Sequence, residues 1–320
     1  MQNVIETRQL SKKYKVNSTR GRREGALGYK DFAALAPTNL NLEKGCIYGL
    51  VGRNGAGKTT LIKLLLGQVA PTTGEITLFG KTGRELAGAR RRIGAIVEHP
   101  AFYPNLTGRQ NLEYYRIQKG ITEKENVDKV LNEMGLSELA DRKFKAYSLG
   151  NKQRLGLALA LLGNPDLLIL DEPINGFDPQ GIIEIRKLLL ELNQRRHITI
   201  LISSHILAEL ENMITKVGFI DQGRLVEEMP MDELYQKCCS YIVLKVDQVE
   251  KAIAVMERDL GLTEYDVKSE GVIHVHAVDT YIPKISKVLN QADVNVLAIQ
   301  EIGQSLEDYF VGLVGGVSND

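Results

Sequence analysis

The chain carries no net charge: 40 lysine and arginine residues balance 40 aspartate and glutamate residues across 320 positions. Bulk charge therefore argues against a nucleic-acid binder. Cysteine is scarce. Cys46, Cys238 and Cys239 show no metal-binding spacing, and an adjacent pair is no disulfide framework, so a reducing cytosol is the expected setting. Long apolar runs are missing as well. Stretches such as Leu155 to Leu162 and Leu167 to Leu170 fall well short of the ~18 residues that cross a bilayer. The start, Met1-Gln2-Asn3-Val4, leads straight into polar residues and shows no targeting segment. The expectation is a soluble chain that reaches a membrane only through a partner chain. Its length suffices for two domains.

What is present begins with Gly52-Arg53-Asn54-Gly55-Ala56-Gly57-Lys58-Thr59, which fits G-x-x-x-x-G-K-[ST] at every fixed position. An apolar strand-like run, Cys46 to Val51, precedes it, and a helix-like run, Thr59 to Leu66, follows. Glycines let backbone N–H groups curl around phosphate oxygens. The new helix directs its positive end at the same anion. Lys58 supplies a point charge for the outer phosphates, and the Thr59 hydroxyl is placed to ligate Mg²⁺. A second element, Leu167-Leu168-Ile169-Leu170-Asp171-Glu172-Pro173, reads as a buried strand that delivers two carboxylates at its end. Asp171 is suited to hold Mg²⁺, and Glu172 to orient the attacking water or accept its proton.

The pattern along the chain predicts an α/β layered domain. Val4 to Leu10 and Thr38 to Leu42 alternate as half-buried strands do, with a polar hairpin loop, Asn17 to Asp31, between them. That loop holds Arg20, Arg22 and Arg23, and reads as solvated rather than as a basic contact. Ile93 to Val97, Leu167 to Leu170 and Ile198 to Ile202 are compact apolar runs typical of parallel strands. Helical patterns at Leu106 to Lys119, Glu123 to Met134 and Gly150 to Leu162 define a helical subdomain over about 106–164. The turn Asp221-Gln222-Gly223 and a short helix near Met231 to Lys237 close a first domain, 1–236. Beyond it, over 237–320, extended and helical runs follow in the order βαββαβ, with a last helix at Ser305 to Leu313. That order predicts a small ferredoxin-like α+β unit.

A third element stands before the acidic strand: Tyr147-Ser148-Leu149-Gly150-Asn151-Lys152-Gln153-Arg154. With three motifs in this order and spacing, the chain resembles the ATP-binding cassette (ABC) family, whose fold is a P-loop NTPase core with a helical subdomain. The resemblance covers residues 4 to 236. It makes this stretch the signature loop, which meets the γ-phosphate of ATP held by another subunit. Ser148 and Gly150 keep the phosphate-facing positions, while Tyr147, Leu149 and Asn151 depart from L-S-G-G-Q. The resemblance further implies that Tyr14 stacks on adenine, with Tyr29 as a rival, and that Asp178 lies at a dimer interface. It also makes His205 a γ-phosphate switch. Glu98 stands where the family usually has glutamine, near Mg²⁺ or the lytic water. Together with Tyr103-Pro104-Asn105-Leu106-Thr107, it is similar to the narrower group of bacitracin-resistance and lantibiotic-immunity exporter ATPases. Gln304 to Phe310 also resembles the tail of such proteins.

The resemblance thus implies an ATPase using ATP and Mg²⁺. The expected nucleotide-binding set is Tyr14 with Gly52, Arg53, Asn54, Gly55, Ala56, Gly57, Lys58, Thr59 and Thr60. Glu172, His205 and Glu98 are the expected catalytic residues, and Thr59, Asp171 and Glu98 the metal ligands. Ser148, Gly150 and Asn151 would serve the opposite subunit's ATP. The implied partners are a second ABC ATPase subunit, identical or not, and a multi-span permease. The implied location is the inner face of the cell membrane and the implied work drug export. A cassette acting on ribosomes or DNA, or an ATP-binding regulator that scarcely hydrolyses, is the alternative.

Overall fold

Continuous apolar runs and alternating ones sort into different sheets. The computed structural model describes residues 2–17, 29–97, 101–175, 177–238, 241–268, 271–275, 281–302 and 305–315. It divides into two compact units, Met1–Met231 and Asp232–Asp320.

In the first unit, β1 (Asn3–Asn17) pairs antiparallel with β2 (Tyr29–Thr38) along its second half. Its first half pairs with β3 (Asn41–Glu43). Pairing thus reaches Asn17 and resumes at Tyr29, inside the stretch read as loop, because ladder bonds join backbone groups and do not require an apolar sequence. Residues 18–28, with their arginines, lie outside the described residues.

Next come β4 (Ile47–Val51), α1 (Lys58–Leu66) and β5 (Thr73–Leu78), the last of which also pairs with β1. They are followed by α2 (Leu86–Arg90) and β6 (Ile93–Ile96). The helical subdomain contains α3 (Gly108–Gln118), α4 (Glu125–Glu133) and α5 (Leu149–Leu161), which pack on one another. α3 begins at Gly108 rather than Leu106, because Thr107 caps it. The Thr107 hydroxyl accepts from Gln110 N–H, and the Gln110 side chain accepts from Thr107 N–H in return.

The chain re-enters the core through β7 (Leu167–Asp171), α6 (Pro179–Arg196) and β8 (Thr199–Ser204). It continues through β9 (Lys216–Asp221) and β10 (Arg224–Pro230); α7 (Met231–Lys237) starts at the last residue of the first unit and otherwise belongs to the second, so the boundary falls a few residues before the expected 236. The main sheet runs β10-β9-β4-β8-β7-β6, parallel from β9 to β6. Every residue of β4, β7 and β8 is buried, as a sheet covered on both faces requires. Loops after β4, β7 and β8 therefore leave the same edge of the sheet as immediate neighbours, where a parallel α/β sheet places its ligand.

The second unit is built from β11 (Tyr241–Val246), α8 (Val249–Leu260), β12 (Tyr265–Val267) and β13 (Val272–Val275). It ends with α9 (Ile282–Gln291), β14 (Val296–Ile302) and α10 (Leu306–Gly315). Its antiparallel sheet runs β12-β13-β11-β14, the split ordering of a ferredoxin-like unit. Ile242, Leu244, Ala252, Met256, Ile273, Ile285 and Leu289 share its core. No helix among the described residues is long and apolar enough to cross a membrane.

Candidate functional site

The loop from Gly52 to Gly57 joins β4 to α1, and its shape depends on two glycines. A Cβ on Gly52 would lie 2.3 Å from the Ile220 carbonyl oxygen, and Gly57 adopts φ 111° as the residue before α1. The first backbone bond of α1 runs from Leu61 N–H to Gly57 O. The amides of Lys58, Thr59 and Thr60 therefore have no acceptor one turn back in the helix. With Tyr14, Phe32, Ala34, Lys58 and Glu172, the loop lines a cleft of about 350 Å³. A phosphate chain fits this cradle: open backbone, a helix N-terminus and a buried ammonium face it together.

Lys58 Nζ donates to Gly52 O at 2.6 Å and lies 3.0 Å from Glu172 Oε1. The other carboxylate oxygen, Oε2, accepts from His205 Nδ1 at 2.8 Å, so the imidazole carries its proton on Nδ1. Residues at the ends of β4, β7 and β8 thus converge on one carboxylate. Burial pushes the Glu172 carboxyl up, but the bonds from His205 and Lys58 outweigh burial and hold it below the usual carboxylate range. It stays ionised, as a proton acceptor must. Glu172 also adopts φ 49°, a left-handed backbone rarely taken by a residue with a side chain.

Thr59 Oγ1 donates to Asp171 Oδ2 at 2.7 Å. Two hard oxygen atoms side by side suit Mg²⁺. Among the described residues no group of three or more His, Cys, Asp or Glu could hold a metal unaided. Thr59 and Asp171 would hold Mg²⁺ only in part and would leave the rest of its ligands to phosphate oxygens and water.

Two further predicted residues cap helices. Ser148 caps α5 by accepting from Asn151 N–H at 3.3 Å, and Asp178 caps α6 by accepting from Gly181 N–H at 3.0 Å. Both are exposed, and Leu149 beside Ser148 is more than half exposed. Tyr14 lines the cleft, and Glu98, with His99 and Pro100, lies outside the described residues.

Sequence reasoning missed two neighbours of the site. Phe32 pairs directly with Tyr14 across the β1–β2 ribbon and lines the same cleft, whereas the expected rival Tyr29 pairs with Asn17 at the ribbon's far end. Finding it needed the register, which the long intervening segment hides. Ser203 is fully buried between Asp171 and Glu172. Here a signal existed: strand alternation places Ser203 and His205 on one side and Ser204 on the other.

Residues 35–175 match the ABC transporter family. The chain is 45% identical over 282 residues to the bacitracin transport ATP-binding protein BcrA of Bacillus licheniformis, covering 87% of this chain and 91% of that one. It is 38% identical over 317 residues to the BcrA of Enterococcus faecalis, covering 99% and 98%. With the lantibiotic transport ATP-binding protein SrtF of Streptococcus pyogenes it shares 43% over 196 residues, covering 61% and 83%. Its fold is similar to the dimeric ATP-binding cassette MJ0796 bound to ADP and Pi, with a TM-score of 0.62 and 24% identity over 71% of this chain and 98% of that one. The chain belongs to the ABC transporter family and carries that family's ATP-hydrolysing cassette.

Proposed function

We propose that this chain is the ATP-hydrolysing subunit of an exporter of a peptide antibiotic or similar amphipathic drug, acting through a separate membrane permease. The convergence of Lys58 and His205 on Glu172, at 3.0 and 2.8 Å, carries the reading. The similarity to the two BcrA proteins supports the cargo class, and favours a transporter over a cassette acting on ribosomes or DNA.

In this reading Gly52 to Thr60 hold the phosphates and Tyr14 stacks on the base. Lys58 leaves Glu172 for the outer phosphates, which frees a carboxylate oxygen to accept a proton from water. His205 keeps that carboxylate aimed. Thr59 and Asp171, with Glu98 as a further proposed ligand, would hold Mg²⁺, which would supply charge neutralisation at the phosphate oxygens. Ser148, Gly150 and Asn151 at the start of α5 serve the ATP of a second, identical or related subunit, and Asp178 lies at that interface. The exposure of Ser148 and Asp178 supports such a role, since helix N-termini attract anions. ATP closes the pair because the opposing loop binds well only while the γ-phosphate is present.

The segment from Glu98 to Thr107, of which residues 101–107 are described, is the proposed permease contact. Its support is an exposed patch of Tyr103 at 44%, Tyr114 at 42% and Ile117 at 64%, with the two tyrosine rings 4.9 Å apart. The chain then sits in the cytoplasm against the inner face of the membrane. A pull-down from solubilised membranes with the tagged full chain tests this. The expected result is a multi-span protein that is lost in a Tyr103→Ala, Tyr114→Ala variant. Recovery from the ribosomal fraction alone would overturn the exporter reading.

A further inference from the structure

The Ser203 hydroxyl sits where the two halves of the hydrolytic apparatus meet. It donates to Asp171 Oδ1 at 2.6 Å and accepts from the Glu172 backbone N–H at 2.9 Å. The parallel register of β7 and β8 puts Ser203 directly beside Asp171, and Ser203 is 0% exposed. The second oxygen of Asp171 is already bonded to Thr59, so Thr59 and Ser203 together restrain both carboxylate oxygens. On the backbone side, the bond from Glu172 N–H lies at the residue with φ 49°. A left-handed backbone at a residue with a side chain persists only when its surroundings impose it. The adjacent Ser204 faces the other way. Its hydroxyl donates to Glu209 at 3.0 Å and accepts from Ile206 N–H at 3.0 Å, closing the turn after the strand.

We infer that Ser203 is a positioning residue for ATP hydrolysis: its one hydroxyl holds the Asp171 carboxylate at the metal side and the Glu172 backbone at the water side in a fixed relation. The inference rests on the roles given above to Asp171 and Glu172. Ser203 acts through Asp171 and Glu172, the two residues its hydroxyl bonds. Losing it leaves a buried N–H and a buried carboxylate oxygen each short of a partner, and lets Glu172 relax toward ordinary φ.

The test compares Ser203→Ala, Ser203→Thr and Glu172→Gln in the full chain. It measures kcat and KM for MgATP, the Mg²⁺ concentration that half-saturates binding of a fluorescent ATP analogue, and the melting temperature. In Ser203→Ala, kcat is expected to fall about tenfold or more at saturating ATP, with KM within about threefold of wild type. The Mg²⁺ demand for analogue binding should rise several-fold while magnesium-free binding holds. Ser203→Thr keeps the hydroxyl and is expected to restore most of both. If Ser203→Ala does not fold, Ser203→Cys, of similar volume but weak hydrogen bonding, replaces it under the same criteria. Wild-type kcat and Mg²⁺ demand in a folded Ser203→Ala, beside an inactive Glu172→Gln, would overturn the inference alone. An equal loss in folded Ser203→Thr would also overturn it, because the hydroxyl would not then be what matters. An active Glu172→Gln would instead bring down the reading on which the inference rests.

Discussion

The two groups of residues proposed to meet at ATP differ sharply within one chain. Around Glu172, side chains from the segments that follow β4, β7 and β8 are bonded to one another within 3.0 Å, and Lys58 is only 5% exposed. Around Ser148 and Asp178, each side chain is exposed and, among the described residues, caps its own helix. A group that aligns water needs rigid supports fixed before the reaction, and it obtains them from neighbouring strands. A group that meets a ligand held by another chain needs an open surface and a free helix end. The contrast fits a composite site whose organised half is internal and whose recognition half faces outward.

The sharpest way to break the contrast is Glu172→Gln. Shape is kept and the basic oxygen is lost, so turnover is expected to fall ~10²-fold or more. The variant should accumulate as an ATP-bound dimer on size-exclusion chromatography; wild-type turnover would remove Glu172 from its role. Next comes a mixing experiment. Lys58→Ala and Gly150→Asp should each be inactive alone. If the two halves reside on different chains of one pair, an equal mixture rebuilds one intact site per mixed dimer and recovers roughly a quarter of wild-type turnover. No recovery despite proven mixing would place both halves in the same chain.

His205→Ala should have a smaller effect, a loss of about tenfold to a hundredfold, because Glu172 keeps its basic carboxylate and loses only the bond that aims it. Steady-state turnover at saturating MgATP reads it. The smallest effect lies outside the cassette. The Asp247 carboxylate accepts from the side chain and backbone N–H of Asn295, and is held below the usual carboxylate range by them. A lowered folded pKa means that the stabilisation is present above the ordinary aspartate value of about 3.9 and fades as the pH falls below it. Amide protection factors, the exchange rates corrected for the intrinsic pH dependence, should therefore fall slightly in acid over residues 241–302, and Asp247→Ala should abolish that dependence. Turnover at neutral pH should not change, since Asp247 has no place in either half of the site.

Much of the candidate site is legible in the amino-acid sequence alone. Gly52 to Thr59 and Leu167 to Pro173 are contiguous, and each motif does its work within one strand end and its loop, so spacing suffices. The second unit is legible for a related reason: β11 and α8 keep clean periods of 2 and 3.6, since each buries one face only. The strand register that pairs Phe32 with Tyr14 is not legible, because residues 18–28 interrupt the ribbon. Nor do β5, β9 and α6 stand out. In α6 the buried face reduces to Ile185, Leu189 and Leu192, too thin a stripe to separate from the charges around it.

By itself the sequence determined which groups of this protein have chemistry to offer: a glycine-rich anion loop, a lysine, paired carboxylates and a histidine, each announced by its immediate neighbours. Only the tertiary structure decided which of them touch. The parallel register of β7 against β8 puts Ser203 beside Asp171, and the neighbouring places of β4, β8 and β7 in one sheet bring Lys58 and His205 to opposite oxygens of Glu172. Those contacts join residues more than a hundred positions or some thirty apart. Strand order and register come from burying whole apolar surfaces against one another, a global balance that no local window of residues contains.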